Sequence, residues 1–250
     1  MFRKTAIALL LAASGVSAHA ALNAGDIAFT SFNADEDGLS FVALADIDAN
    51  TTIFFADNEW DGSAFNGGES YNQWSSGASV ISAGTVVRFA AYDKTTLSAS
   101  LGTLSRVTVS GSANWGIANS NETIYAYLGT DAVTPTTFLA AITNGTFEAN
   151  GPLTNTGLTD GETAIRLNTI VGGTPDYAEY TGARSGLTAD EYLELLTDPA
   201  NWNVDATSGS YATTVPDTTA FQIAVVPEPE TYALMLAGLG LIGVAARRRK

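Results

Sequence analysis

The sequence predicts an all-β fold: an antiparallel β-sandwich of immunoglobulin-like type with one short helix near residues 188–197. Three observations point there. Short runs rich in Val, Ile, Thr, Tyr and Phe recur along the chain, bounded by Gly, Asn and Asp. Amphipathic helices do not alternate with these runs, which argues against a parallel α/β sheet. The chain has no cysteine, so a domain of this size must be held by an apolar core rather than by disulfides.

Taken in order, the strand candidates are "DIAFTSF" (26–32), "LSFVALADI" (39–47), "TTIFFAD" (51–57) and "GTVVRFAAY" (84–92). They continue with "RVTVSG" (106–111), "ETIYAYLG" (122–129), "TTFLAAIT" (136–143), "TAIRLN" (163–168) and "AFQIAVV" (220–226). Many short strands punctuated by turn residues read as a sandwich. The helix is predicted from "GLTADEYLELLTDPANW". Thr188 is the N-cap and Glu191 completes a capping box, with Leu187 and Tyr192 placed as a hydrophobic staple. Leu193, Leu195 and Leu196 supply an apolar face, and Asp198-Pro199 ends the helix. One domain is expected, followed by a linker beginning near Thr207 or Val226.

Both ends carry signals. "MFRKTAIALLLAASGVSAHA" has a basic start, an apolar run and Ala18-His19-Ala20, the layout of a secretory signal peptide over residues 1–20 cut after Ala20. The sandwich body is assigned to residues 21–225 and a separate C-terminal signal to 226–250. Of 26 acidic residues 24 lie in the body, against five of the 11 basic residues, a net charge of −19. Such a surface repels nucleic acid phosphates and anionic membranes.

The one histidine, His19, lies in the predicted signal peptide. The body therefore lacks the His and Cys that common nucleophile systems and zinc sites require. Carboxylate chemistry on glycans remains as an alternative, but no pair of acids stands out, and no catalytic or cofactor-binding residue is assigned. A non-enzymatic body is expected.

Two acidic stretches invite a metal reading. "FNADEDGL" places Asp35 and Asp37 at alternating positions, and "FADNEWDGSAFNGGES" does so with Asp57 and Asp61. Neither supplies the bidentate Glu at position 12 of a helix-loop-helix calcium loop. They read first as hairpin loops with acidic tips, and second as a non-standard calcium site. Trp60, Tyr71 and Trp74 beside them read first as core, and second as a stacking platform for sugars. The sequons "NTT" (50–52), "NET" (121–123) and "NGT" (144–146) read as turns. "GLGLIG" is a dinucleotide fingerprint in form only, since the chain has no room for the acid that should follow it.

The chain closes on "VPEPETYALMLAGLGLIGVAARRRK". Pro227, Glu228 and Pro229 precede an apolar helix over 233–246, short for a membrane span, and a basic tail over 247–250 that stays cytoplasmic by the positive-inside rule. This stretch resembles the PEP-CTERM sorting signal of Gram-negative bacteria. The resemblance implies recognition of Pro227-Glu228-Pro229 by an exosortase, transient membrane insertion, and delivery to the cell surface, outer membrane or medium of a cell that makes extracellular polysaccharide. A plain anchor that is never cut is the rival. The opening of the body, with Phe41, Val42, Leu44 and Trp60, resembles lamin-tail-like secreted domains, which implies an immunoglobulin-like sandwich with an adhesive or scaffolding role. Polysaccharide is the expected partner of the body, alongside the export machinery, with calcium as the only cofactor considered.

Overall fold

The computed structural model describes residues 21–149, 151–169, 173–205 and 209–224, with Gly238 and Arg247 as isolated positions beyond them. The strands are β1 (Ile27–Asn33), β2 (Gly38–Ala43), β3 (Thr52–Ala56), β4 (Tyr71–Ser75), β5 (Val86–Ala90), β6 (Ser98–Ala99) and β7 (Thr103–Arg106). They continue as β8 (Thr123–Asp131), β9 (Thr134–Thr143), β10 (Ala164–Arg166), β11 (Tyr177–Tyr180) and β12 (Ser185–Leu187), then helix α1 (Ala189–Thr197), β13 (Trp202–Asp205) and β14 (Gln222–Ile223).

Two six-stranded sheets form, in the orders β13-β11-β1-β2-β5-β6 and β10-β9-β8-β3-β4-β7. Neither closes into a barrel. Pairing within them is antiparallel except for β9 with β10. The central orders β1-β2-β5 and β9-β8-β3-β4 correspond to the A-B-E and G-F-C-C′ arrangements of an immunoglobulin-type sandwich.

Alternation along the strands builds the interior. Phe29, Phe41 and Phe89 from the first sheet meet Phe55 and Trp74 from the second. Phe41 lies 5.8 Å from Phe55 and 5.4 Å edge-on from Trp74, and Phe55 lies 4.9 Å edge-on from Phe89. Burial of each such ring contributes about 1.5–3 kcal/mol, so these contacts fix which faces meet. The second sheet is buried on both faces. Phe54, Tyr125, Tyr127 and Phe138 form a second cluster with Trp60, Tyr71, Phe147 and Leu158, covered by long loops.

The helix starts as the sequence predicts. Thr188 accepts from the Glu191 amide while the Glu191 carboxylate accepts from the Thr188 amide at 2.8 Å. Its fully covered residues are Tyr192, Leu196 and Thr197, and it packs against β1 and β10. Leu193 and Leu195 are only half-buried, so the apolar face is rotated from the expected one toward Tyr192.

Three expectations are corrected. The strand expected at 106–111 lies at β7, and residues 107–111 are irregular because Val107 and Val109 turn to cover the second cluster. Only Gln222–Ile223 of 220–226 is strand among the described residues. The linker does not begin near Thr207, because residues 209–224 form a strap bound to the sandwich. Tyr211 stacks on Tyr177 at 4.6 Å, Phe221 is buried against Tyr180 and Tyr192, and β14 pairs in parallel with β12. Strands β4, β6, β11, β12 and β13 have no counterpart among the expected runs. Residues 1–20 and the expected helix at 233–246 lie outside the described residues, apart from Gly238. Among the described residues no helix is long and apolar enough to cross a membrane.

Candidate functional site

At one end of the sandwich the core turns polar. Asn72 pairs with Phe55, and Phe55 with Ala126, so the three share the core-facing side of the second sheet. Asp57, two residues beyond Phe55, and Glu122, two residues before the core residue Ile124, continue that side. Tyr92, just past β5, closes the space from the first sheet. Its hydroxyl donates to the Phe55 carbonyl at 3.5 Å, faces the Asn72 side chain and feels the charges of Asp57 and Glu122. Relative exposure is 2% for Asp57, 5% for Glu122, and 0% for Asn72 and Tyr92.

The two carboxyls are held by neutral donors. Asp57 accepts from the Ser70 amide at 2.7 Å and the Ser70 hydroxyl at 2.9 Å. Glu122 accepts from the Ala118 amide at 2.9 Å, and its own amide donates to Asn144 Oδ1 at 2.7 Å. Burial, with repulsion from Glu69, pushes Asp57 up to about 8, and burial, with repulsion from Asp57 and Glu69, pushes Glu122 up to about 9. Neither amide atom of Asn72 has a hydrogen-bond partner of good geometry.

The acids singled out by the loop reading have different fates. Asp35 accepts from the Tyr211 amide at 2.7 Å, tying the strap to the β1–β2 turn. Asp37, with φ 56°, accepts from the Ile117 amide at 2.6 Å. Burial, with help from Asp93, lifts Asp37 to about 6 against that bond. Asp61 is exposed and caps its own turn, accepting from Ser63 and Ala64 at 2.7–2.8 Å. Those bonds hold its carboxyl below the usual range. Of the four, Asp57 alone joins the buried row. Among the described residues no three His, Cys, Asp or Glu side chains come together in a way that could hold a metal.

Of the aromatic candidates, Trp60 and Trp74 are buried in the core, and Tyr71, also largely covered, borders a half-open cavity. Trp60 donates to the Thr154 carbonyl at 2.8 Å and Trp74 to the Leu101 carbonyl at 2.7 Å, so neither ring is free to stack on a sugar. Asn144, the acceptor of one sequon, is fully buried, and its amide donates to Ala118 and Pro175.

A half-open cavity of about 250 Å³ lies on the outer side of the second sheet. Phe65, Tyr71 and Val109 give it apolar walls, and Asn66, Ser110 and Ser112 give it neutral polar groups. No charged side chain lines it. Gly67 and Gly68 leave its rim open, since a Cβ at either would meet nothing within 4 Å. Phe65 is the residue that sequence reading missed. It lies in a loop without periodicity, and its role depends on edge contacts to Trp60 at 5.1 Å and Tyr71 at 5.9 Å. A second cavity of about 240 Å³, near Phe147 and Leu153, is bordered by Glu148 and Asp160. Both of those acids are paired with Arg166.

Comparison with known families assigns the end of the chain. Residues 225–250 match the model for the PEP-CTERM protein-sorting motif. The chain carries a PEP-CTERM sorting motif. That supports an exported protein processed by an exosortase-type system, with a cell-surface or extracellular destination. The motif covers Pro227, Glu228 and Pro229 and the basic tail, and says nothing about the chemistry of the sandwich. No curated protein and no solved structure matches the chain.

Proposed function

We propose that this PEP-CTERM chain delivers a non-catalytic binding module to the cell surface or extracellular matrix, where the body holds neutral polysaccharide. The observation that carries the reading is the uncharged cavity bounded by Phe65 and Tyr71, set in a body of net charge −19. Aromatic edges offer apolar area to a sugar face, and the amide and hydroxyls of Asn66, Ser110 and Ser112 exchange hydrogen bonds with its hydroxyl groups. The acidic surroundings disfavour an anionic polymer. The rival, a carboxylate-dependent glycan hydrolase, would need two acids flanking a substrate bond. The raised pair Asp57 and Glu122 is enclosed instead.

The test uses the exported protein and a panel of soluble neutral and anionic polysaccharides. Retention of a neutral glycan is expected, with no new reducing ends. Gly67 has open space at its Cβ and no left-handed φ, so Gly67→Trp fills the cavity mouth without strain. It is expected to cut retention at least tenfold and leave the melting temperature unchanged. Release of reducing ends that disappears in Asp57→Asn or Glu122→Gln would establish the hydrolase instead.

A further inference from the structure

The row formed by Asp57, Glu122 and Asn72 is not explained by glycan binding, from which it is shut off. Two carboxyl groups sit among neutral polar groups at this end of the interior, with Glu69 nearby, and without a cation. The five cationic side chains of the body are engaged elsewhere. Arg88 pairs with Glu36, Lys94 with Asp93, Arg166 with Glu148 and Asp160, and Arg184 with Asp217. Arg106 donates to the Asp93 carbonyl under the Trp115 ring.

Asn72 supplies the second observation. It is fully buried, its amide oxygen has no hydrogen-bond partner while its NH2 group faces the Tyr92 hydroxyl, and the register directs it to the same side as Asp57, one diagonal step away. A buried amide left so costs about 1–3 kcal/mol unless something else occupies the space. Its oxygen, the two carboxyls and the Tyr92 hydroxyl are all oxygen donors. A soft metal has no ligand here, whereas a hard cation that accepts irregular oxygen shells does.

We propose that this end of the sandwich encloses a calcium ion between Asp57, Glu122 and Asn72. Two carboxylates match the charge of the ion, the amide oxygen of Asn72 completes the protein's share, and the Tyr92 hydroxyl forms the wall. The site differs from the loop reading, since Asp35, Asp37 and Asp61 take no part in it. Because the row is enclosed, the ion enters as the chain folds and exchanges slowly afterwards.

The test unfolds the full exported protein in urea with EDTA, then refolds it with calcium, with magnesium or with EDTA alone. One equivalent of calcium is expected in the refolded protein by elemental analysis, together with a melting temperature several degrees above the EDTA sample. Magnesium, which demands a near-ideal octahedron, is expected to raise it much less. Asp57→Asn and Glu122→Gln should each lose the bound ion, while Asp37→Asn and Asp61→Asn keep it. Wild-type protein that refolds without bound calcium, with equal melting temperatures in calcium and EDTA, overturns the proposal whether or not the variants fold. Binding that survives Asp57→Asn and is lost in Asp37→Asn or Asp61→Asn overturns it in favour of the loops.

Discussion

Asp57 and Glu122 respond to pH in a direction that their burial sets. An acid whose folded pKa is raised keeps a proton that the unfolded chain has already released. In EDTA, the contribution of this pair to stability is therefore fully present below about pH 4, where unfolded carboxylates titrate. It falls as pH rises to the folded values of about 8 and 9, and then levels off. Thermal melts from pH 5 to pH 9 in EDTA should show this decline, and Asp57→Asn with Glu122→Gln should flatten it. A flat wild-type profile would mean that the pair is solvated. Little of this was legible in the sequence. Asp57 stood out as one of four loop acids, but Glu122 lay unnoticed inside "ETIYAYLG", and Asn72 was not singled out. What joins them is cross-strand register, a relation between residues far apart in the chain.

At the scale of elements, the legible parts are those with local causes. The capping box needs only residues 188 and 191, and it forms as read. Thr188→Ala should cost about 1 kcal/mol in a urea titration. Strands β1, β2, β3, β5, β8 and β9 show apolar runs with turn residues at their ends and were found. Strand β4, "YNQWS", was missed because polar Asn72 occupies a core position beside Trp74. Strands β11 and β13 are four residues each, too short to establish a period, and their place follows from pairing with β1 and with each other.

Thr207 stood as one of two starts for the linker because Gly, Ser and Thr dominate residues 207–219. Phe221 is the anchor of the strap, beneath the Arg184 guanidinium at 4.7 Å and edge-on to Tyr192 at 5.1 Å. Phe221→Ala should destabilise the body by about 3–5 kcal/mol and expose residues 209–224 to protease before the sandwich unfolds. Cleavage that begins elsewhere, with the strap still protected, would contradict this role.

For the whole molecule, the C-terminal motif supports export and a surface or extracellular destination, and the proposed role of the sandwich rests on its neutral cavity. The sorting motif is a contiguous stretch, so one sequence suffices to read it. The neutral cavity was invisible for the opposite reason, since Phe65, Tyr71 and Val109 come from separate loops and strands. The strap remains bound through Ala224, whose amide donates to the Leu187 carbonyl at 2.7 Å. Removal of the motif at 225–250 therefore leaves every packed element of the body in place, and the processed protein should melt at the same temperature as a chain with Pro227, Glu228 and Pro229 replaced by Ala. Mass spectrometry of both termini, on native cells separated into membrane, surface and medium, is the decisive measurement. The surface or medium fraction should hold a chain that begins at Ala21 and has lost the basic tail ending at Lys250. A chain found only in the membrane fraction with Lys250 intact would contradict export and processing through the motif.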